Sequence, residues 1–281
     1  GRSGVRDGKP LNICPVTYEP CGEDFYSPRG LRQLNKRLTD LTALPLSAPE
    51  QRREALARAG KLSIQGIQPK LSARLDVKNE TFEIVDRYGT YIIKPQHADF
   101  PLMPENEGLS MHLAAMAGLE VPVSGLVRSA DGSFSYFIRR FDRTGNTGRV
   151  AVEDFAQLSG RDRSTKYDSS MERLVEIIDS YCTFPVVEKV KLFERTLFSF
   201  LVGNEDMHLK NTSLIRREGR VELSPLYDCL NTTIELEAIG RRPDEIEETA
   251  LPLRGRKRNL SRHDLVDYFG RERLGLNGKV V

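Results

Sequence analysis

The chain has 281 residues, enough for one large domain or two lobes with a substantial core. Its 42 basic and 40 acidic residues leave a net charge of +2, so the chain as a whole has no polyanion-binding character. No apolar run approaches the roughly 20 residues that span a bilayer and no signal peptide opens the sequence, so a cytoplasmic protein without membrane contact is expected.

Residues 1–27 are rich in Gly, Pro and polar groups and read as an irregular arm. Cys14 and Cys21 lie there without a second ligand pair, so two ordinary thiols are expected rather than a zinc site. With Cys182 and Cys229 they suit a reducing compartment. The glycine at the first position and the uncapped last residues read as a trimmed chain. Leu31, Leu34 and Leu38 mark a short helix, and Ser47 with Glu50 forms a capping box for a second that ends at Gly60.

The stretch from Lys61 to Lys70 carries Ser63 and Gly66 and leads into strands near Leu71–Asp76, Thr81–Asp86 and Tyr91–Pro95, an antiparallel meander. Gly66 would let backbone N–H groups approach a phosphate. Lys94 falls within the third strand, where a lysine needs a counter-charge if it is buried. Glu107, in the first turn of a helix expected at about Pro104 to Ala117, can supply one. Strands at Val121 to Arg128 and Phe134 to Phe141 follow, with Asp131-Gly132 as their turn. The chain then passes through Arg139-Arg140-Phe141-Asp142 to a glycine-rich stretch ending at Gly148.

From about residue 152 the chain reads mainly helical, with segments near Val152 to Leu158, Ser169 to Tyr181 and Pro185 to Val202. The last has Val186, Val187, Val190, Phe193, Leu197, Phe200 and Leu201 at helical spacings. It delivers the string Gly203-Asn204-Glu205-Asp206-Met207-His208-Leu209-Lys210-Asn211. Two alternating runs pivoting on Glu218-Gly219 read as a hairpin, which feeds Leu226-Tyr227-Asp228. Taken alone, Asp206 and Asn211 could be a capped turn. A base-like Asp, an Asn five positions on, a hairpin and a further Asp is the order in which protein kinases present a catalytic base and two metal ligands. A helix-like run follows at Cys229 to Ile239. Arg254, Arg256, Lys257 and Arg258 read as a solvated loop, and a last helix is expected with Ser261 as N-cap, Asp264 three residues on and Gly270 as its stop.

These features give an α+β, two-lobed protein-kinase-like fold. Residues 1–60 form an arm with short helices, 61–143 a β-rich nucleotide-binding lobe and 144–281 a helical catalytic lobe. Six stretches together resemble the HipA-like toxin kinases of bacterial toxin–antitoxin systems. They are Ser63 to Lys70, Tyr91-Ile92-Ile93-Lys94, Pro104-Glu105-Asn106-Glu107, Arg140-Phe141-Asp142-Arg143, the Gly203 to Asn211 loop and Leu226-Tyr227-Asp228. The Gly-Asn-x-Asp-x-His-x-x-Asn string is the most specific of them.

The resemblance implies ATP and Mg²⁺ as cofactors, Asp206 as catalytic base, and Asn211 and Asp228 as metal ligands. It implies that Lys94, paired with Glu107, contacts ATP phosphates. The backbone around Arg139 to Phe141 would read the adenine, with Asp142, His208 and Tyr227 around the nucleoside. Ser63 falls on the family's autophosphorylated serine. Full-length members begin with an extra subdomain for which this chain has no room, so it is similar to the short toxins called HipT. The implied partners are a HipB-like DNA-binding antitoxin, a small HipS-like protein and an aminoacyl-tRNA synthetase substrate, the tryptophanyl enzyme above all, with DNA reached only through the antitoxin. The rival readings are a small-molecule phosphotransferase of the aminoglycoside-kinase type and a non-enzymatic binding module.

Overall fold

The computed structural model describes residues 5–6, 9–10, 12–58, 68–145, 147–162 and 164–278. The chain divides into two compact units, Gly1–His112 with Pro122–Arg140, and Leu113–Val121 with Phe141–Val281. No described helix is long and apolar enough to cross a membrane.

The first unit is built on a five-stranded antiparallel sheet. Its order is Thr81–Ile84, Leu71–Asp76, Tyr91–Pro95, Phe134–Arg139, Ser124–Arg128. The first two strands close a hairpin whose turn puts Glu80 at φ 51°. Tyr91–Pro95 therefore joins the opposite side of Leu71–Asp76, which makes it the middle strand rather than the third of a simple meander. A strand covered on both sides buries alternate and adjacent positions alike. Tyr91, Ile93, Lys94 and Pro95 are all buried. The helix Met103–Met116 follows it.

Residues 12–27, expected to be an irregular arm, contribute side chains to this unit's core. Asn12–Ile13 pairs with Pro20–Gly22, and Cys14, Val16 and Tyr26 are buried in one cluster with Leu31, Leu34 and Leu38. The Tyr26 hydroxyl donates to the Leu126 carbonyl at 2.9 Å. Gly125 makes the approach possible, since a Cβ there would lie 2.7 Å from the Pro15 carbonyl oxygen. The helix Pro28–Leu34 starts at Ser27, whose hydroxyl accepts from the Gly30 N–H. Ser47 donates through N and Oγ to Glu50 Oε2 at 2.8 and 2.7 Å and opens the helix Ala48–Arg58. Its expected stop at Gly60 lies outside the described residues, as do Ser63 and Gly66.

The second unit carries a three-stranded sheet in the order Val152–Asp154, Ser213–Arg217, Arg220–Leu223. Glu218 and Gly219, at φ 49° and 79°, form the tight turn expected for the hairpin. The helix expected over Val152 to Leu158 is split. Val152–Asp154 is a strand paired with Ser213–Arg217, and only Phe155–Leu158 is helical, started by a capping box between Asp154 and Gln157. Leu113–Val121 belongs with this unit because the Glu120 carbonyl accepts from Leu226 N at 2.8 Å and its carboxylate pairs with Arg217 at 2.7 Å.

The core of this unit sits among the helices Met171–Tyr181 and Pro185–Leu201 and the wide π-type helix His263–Arg273. Met171, Leu174, Val175, Ile177 and Ile178 form one buried face. The helix Pro185–Leu201 keeps the middle of its expected apolar face, with Phe193 buried and Val190, Leu197 and Phe200 packed on the core. Val186 and Leu201 at its ends, however, are 74% and 80% exposed, while Glu188, Arg195 and Thr196 are buried. Gly270 is not a helix stop. It lies inside His263–Arg273 because the Phe193 ring packs there, and a Cβ would lie 2.8 Å from that ring. Ser261 N and Oγ do donate to Asp264 Oδ2, at 2.9 and 2.7 Å.

The basic loop is paired rather than merely solvated. Arg256 bonds Asp264 at 2.6 Å, Lys257 bonds Glu247 at 3.0 Å, and Arg258 donates to the Asp244 carbonyl at 2.7 Å. The four cysteines are free thiols. Cys21 Sγ donates to backbone carbonyls, and among the described residues no three His, Cys, Asp or Glu side chains are placed to hold a metal ion.

Candidate active site

In the second unit the helix Pro185–Leu201 ends at Val202, and Gly203 at φ 70° reverses the chain. A side chain at Gly203 would meet Asn231 Oδ1 and Thr233 Oγ1 at 3.0 Å. The Gly203 carbonyl accepts from Thr232 Oγ1 and Thr233 N, both at 3.1 Å, and Glu205 N donates to Thr232 Oγ1 at 2.8 Å. The start of the helix Thr232–Ala238 thus clamps the start of the loop.

Asn204, buried, turns the loop: its Oδ1 accepts from Asp206 N at 3.0 Å, a side chain standing in for a backbone turn. The Asp206 side chain is 38% exposed. Its carbonyl accepts from Asn211 Nδ2 at 2.8 Å, across the short 3₁₀ turn Leu209–Asn211. That bond engages the amide nitrogen of Asn211, so its oxygen is the atom left to act as a ligand. His208 Nδ1 accepts from Lys210 N at 3.2 Å, and burial, with the Lys166 cation adding to it, depresses the imidazole's proton affinity. Lys210 bonds Asp154 at 2.8 Å, which anchors the loop to the start of the helix Phe155–Leu158.

The hairpin brings Asp228 to this loop. Both neighbours of Asp228 are bonded to it: the Tyr227 hydroxyl donates to the Lys210 carbonyl at 2.9 Å, and Asn204 Nδ2 donates to Cys229 Sγ at 3.4 Å. Ser213 Oγ lies 2.5 Å from the Tyr227 hydroxyl. Tyr227 therefore braces the backbone between Asp206 and Asn211, and burial pushes its phenol well above the usual range. The Phe141 ring packs 5.4 Å from that of Tyr227. Asp228 sits at φ 51°, a conformation that costs a non-glycine residue of order 1–3 kcal/mol and that clusters at functional sites.

Sequence reasoning missed the residues that hold these loops. Glu188 accepts from Leu223 N at 2.9 Å, and Arg195 donates to the Ser224 carbonyl. Both stabilise the strand end that leads to Asp228. Burial lowers the guanidinium of Arg195 to a pKa of about 10. The signal was present as two charges interrupting an apolar helix face.

In the first unit Lys94 Nζ bonds Glu107 Oε1 at 2.6 Å, with the side chains only 5% and 0% exposed. Lys94 also lies 5.7 Å from the centre of the Tyr136 ring. The Arg139 guanidinium is spent on structure, donating to the carbonyls of Gln33 and Leu34 and to the Tyr91 hydroxyl. The N–H groups of Arg139 and Arg140 go to the carbonyls of Val123 and Thr90, both at 2.8 Å. In the second unit Asp142 pairs with Arg143.

The family pattern described as HipA-like C-terminal domain matches residues 62–278. The chain belongs to the HipA-like family. A protein of Haemophilus influenzae described as a candidate kinase is 30% identical over 242 residues, 79% of this chain and 69% of its own. The serine/threonine-protein kinase toxin HipA of Shewanella oneidensis is 28% identical over 192 residues, 61% of this chain and 43% of HipA. Among solved structures, the complex of HipA, HipB and operator DNA from that organism superposes with a TM-score of 0.63. That match has 23% identity and covers 86% of this chain and 62% of the solved chain. The HipA-like chain thus has the α+β kinase-like fold and spans less than two thirds of the solved relative's length. The HipA-like match covers both the strand with Lys94 and the loops with Asp206 and Asp228.

Proposed function

We propose that the chain is an ATP-dependent serine/threonine protein kinase, acting as the toxin of a toxin–antitoxin system. The observation that carries this reading is the loop that joins Asp206 to Asn211 by a 2.8 Å bond and is itself bonded to both neighbours of Asp228.

An amide oxygen and a carboxylate are hard oxygen donors, the set that suits Mg²⁺. Two protein ligands also fit an ion that takes the rest of its shell from water and substrate phosphates. Asn211 and Asp228 would hold it, and when bound it would neutralise charge on the β and γ phosphates. Lys94, oriented by Glu107, takes phosphate charge. With the N–H groups of Arg139 and Arg140 already engaged, the adenine-reading donor falls to Phe141 N. Asp206 accepts the proton of the attacking serine hydroxyl, whose oxygen bonds to the γ-phosphorus as ADP leaves.

Three parts of this reading rest on the family resemblance. The acceptor is an aminoacyl-tRNA synthetase, the tryptophanyl enzyme first; Ser63 is autophosphorylated; and the partners are a HipB-like DNA-binding protein and a small HipS-like protein. The HipB and operator DNA in the solved Shewanella complex support the antitoxin class. A phosphate adds about −1.5 to −2 charge, which on a phosphate-binding loop repels nucleotide.

The test is transfer from γ-labelled ATP to a panel of synthetases, run beside Asp206→Asn and Asp228→Asn. Label on one synthetase, reduced by at least about 10²-fold in Asp206→Asn, is the expected result. Turnover retained in either variant removes its assigned role, and label on a small metabolite with no protein acceptor favours the aminoglycoside-type reading.

A further inference from the structure

Tyr167 and Lys166 have no part in the reading above, yet both make close side-chain contacts to the Asp206 loop. The Tyr167 hydroxyl donates to Asp206 Oδ1 at 2.5 Å. One residue earlier, Lys166 Nζ lies 2.6 Å from His208 Nε2, and the Lys166 carbonyl accepts from Leu209 N at 3.3 Å. The Tyr167 and His208 rings meet edge to face at 4.9 Å. Within the segment, Asp162 accepts from the N–H groups of Ser164 and Thr165 at 2.7 and 3.1 Å. The segment therefore lies along the loop and contacts residues 206, 208 and 209.

The grip on Asp206 is one-sided. His208 Nε2 approaches the same oxygen, Oδ1, at 3.7 Å. Among the described residues no hydrogen bond falls on Oδ2. An exposed carboxylate rotates about χ2 with little resistance, and a base misplaced by about 1 Å loses on the order of 10²-fold in rate. Burial first, and the Asp206 carboxylate second, push the Tyr167 phenol far above its ordinary range, so it remains a donor at every working pH.

We propose that Tyr167 is a positioning residue for the catalytic base: its hydroxyl fixes Oδ1 of Asp206 so that Oδ2 faces the acceptor hydroxyl. The inference rests on Asp206 being the base. Tyr167 touches no reacting atom; it acts through the carboxylate it holds, and Lys166 and its carbonyl keep the two segments in register.

The experiment measures initial rates of phosphate release from ATP, with water as the acceptor, for the wild type, Tyr167→Phe and Asp206→Asn. Tyr167→Phe removes one oxygen from a side chain that is 43% exposed and keeps its ring contacts, so the fold is retained, as its thermal midpoint checks. The expected result is a kcat lowered roughly tenfold, the scale of one hydrogen bond to a charged group, with KM for ATP unchanged. Tyr167→4-aminophenylalanine, which restores a donor at the same ring position, recovers most of the loss. Unchanged kcat in Tyr167→Phe, with Asp206→Asn inactive, overturns the inference and leaves the base assignment standing. A raised kcat overturns it as well, since the phenol would then be occupying the acceptor's place. Full turnover in Asp206→Asn overturns the base assignment beneath it, and the inference with it.

Discussion

Burying Lys94 and Glu107 takes two charges out of water, and the 2.6 Å bond between them is what makes that tolerable. Removing one partner takes the 2.6 Å bond from a charge that stays buried. Glu107→Ala is expected to cost about 3–5 kcal/mol in denaturant unfolding, while Lys94→Met with Glu107→Leu recovers most of that stability. The double variant lacks the cation proposed to meet the ATP phosphates, so under that reading ATP affinity by calorimetry falls at least tenfold, the loss expected for a charge-assisted bond. Recovery of both stability and ATP binding would show the pair to be structural only. The sequence made the pair legible, because a lysine inside an apolar strand needs a counter-charge. It did not reveal Tyr167 or Lys166, which lie in a polar stretch where any side chain could face solvent.

At the scale of elements, burial and polarity were decided by different partners than periodicity suggested. Val152–Asp154 reads as the start of a helix, and Asp154 does cap one with Gln157, yet the backbone of Val152–Asp154 pairs with Ser213–Arg217. Local propensity cannot register a strand sixty residues away. The helix Pro185–Leu201 turns Glu188 and Arg195 inward because Leu223 N and the Ser224 carbonyl need partners there. Gly270 behaves likewise: as a turn signal it reads as a stop, but it serves as the gap into which the Phe193 ring fits. Gly270→Ala is therefore expected to lower the urea midpoint by an amount equivalent to about 1–3 kcal/mol. Phe193→Leu in the same chain should return part of it, and a neutral Gly270→Ala would mean that the helix shifts to absorb the methyl group.

For the molecule as a whole, 42 basic against 40 acidic residues give no field that would gather DNA. The basic loop at Arg254 to Arg258 is committed to Asp264, Glu247 and the Asp244 carbonyl. In a gel-shift titration the chain alone should leave operator DNA unretarded at physiological salt, with retardation only when a DNA-binding antitoxin is added; direct retardation would give that loop a second role. The sequence by itself determined the class of fold and the order of the chemical groups: strand lysine, helix glutamate, Asp206, Asn211, hairpin, Asp228. Those rest on short-range patterns, alternation and turn residues, that a chain carries wherever it packs. Only the tertiary structure decided that residues 12–27 contribute side chains to a core, that Arg139 is spent on Gln33, Leu34 and Tyr91, and that Tyr167 holds Asp206. Each joins groups far apart in the chain, and whether such groups meet is set by packing, which no local window of sequence contains.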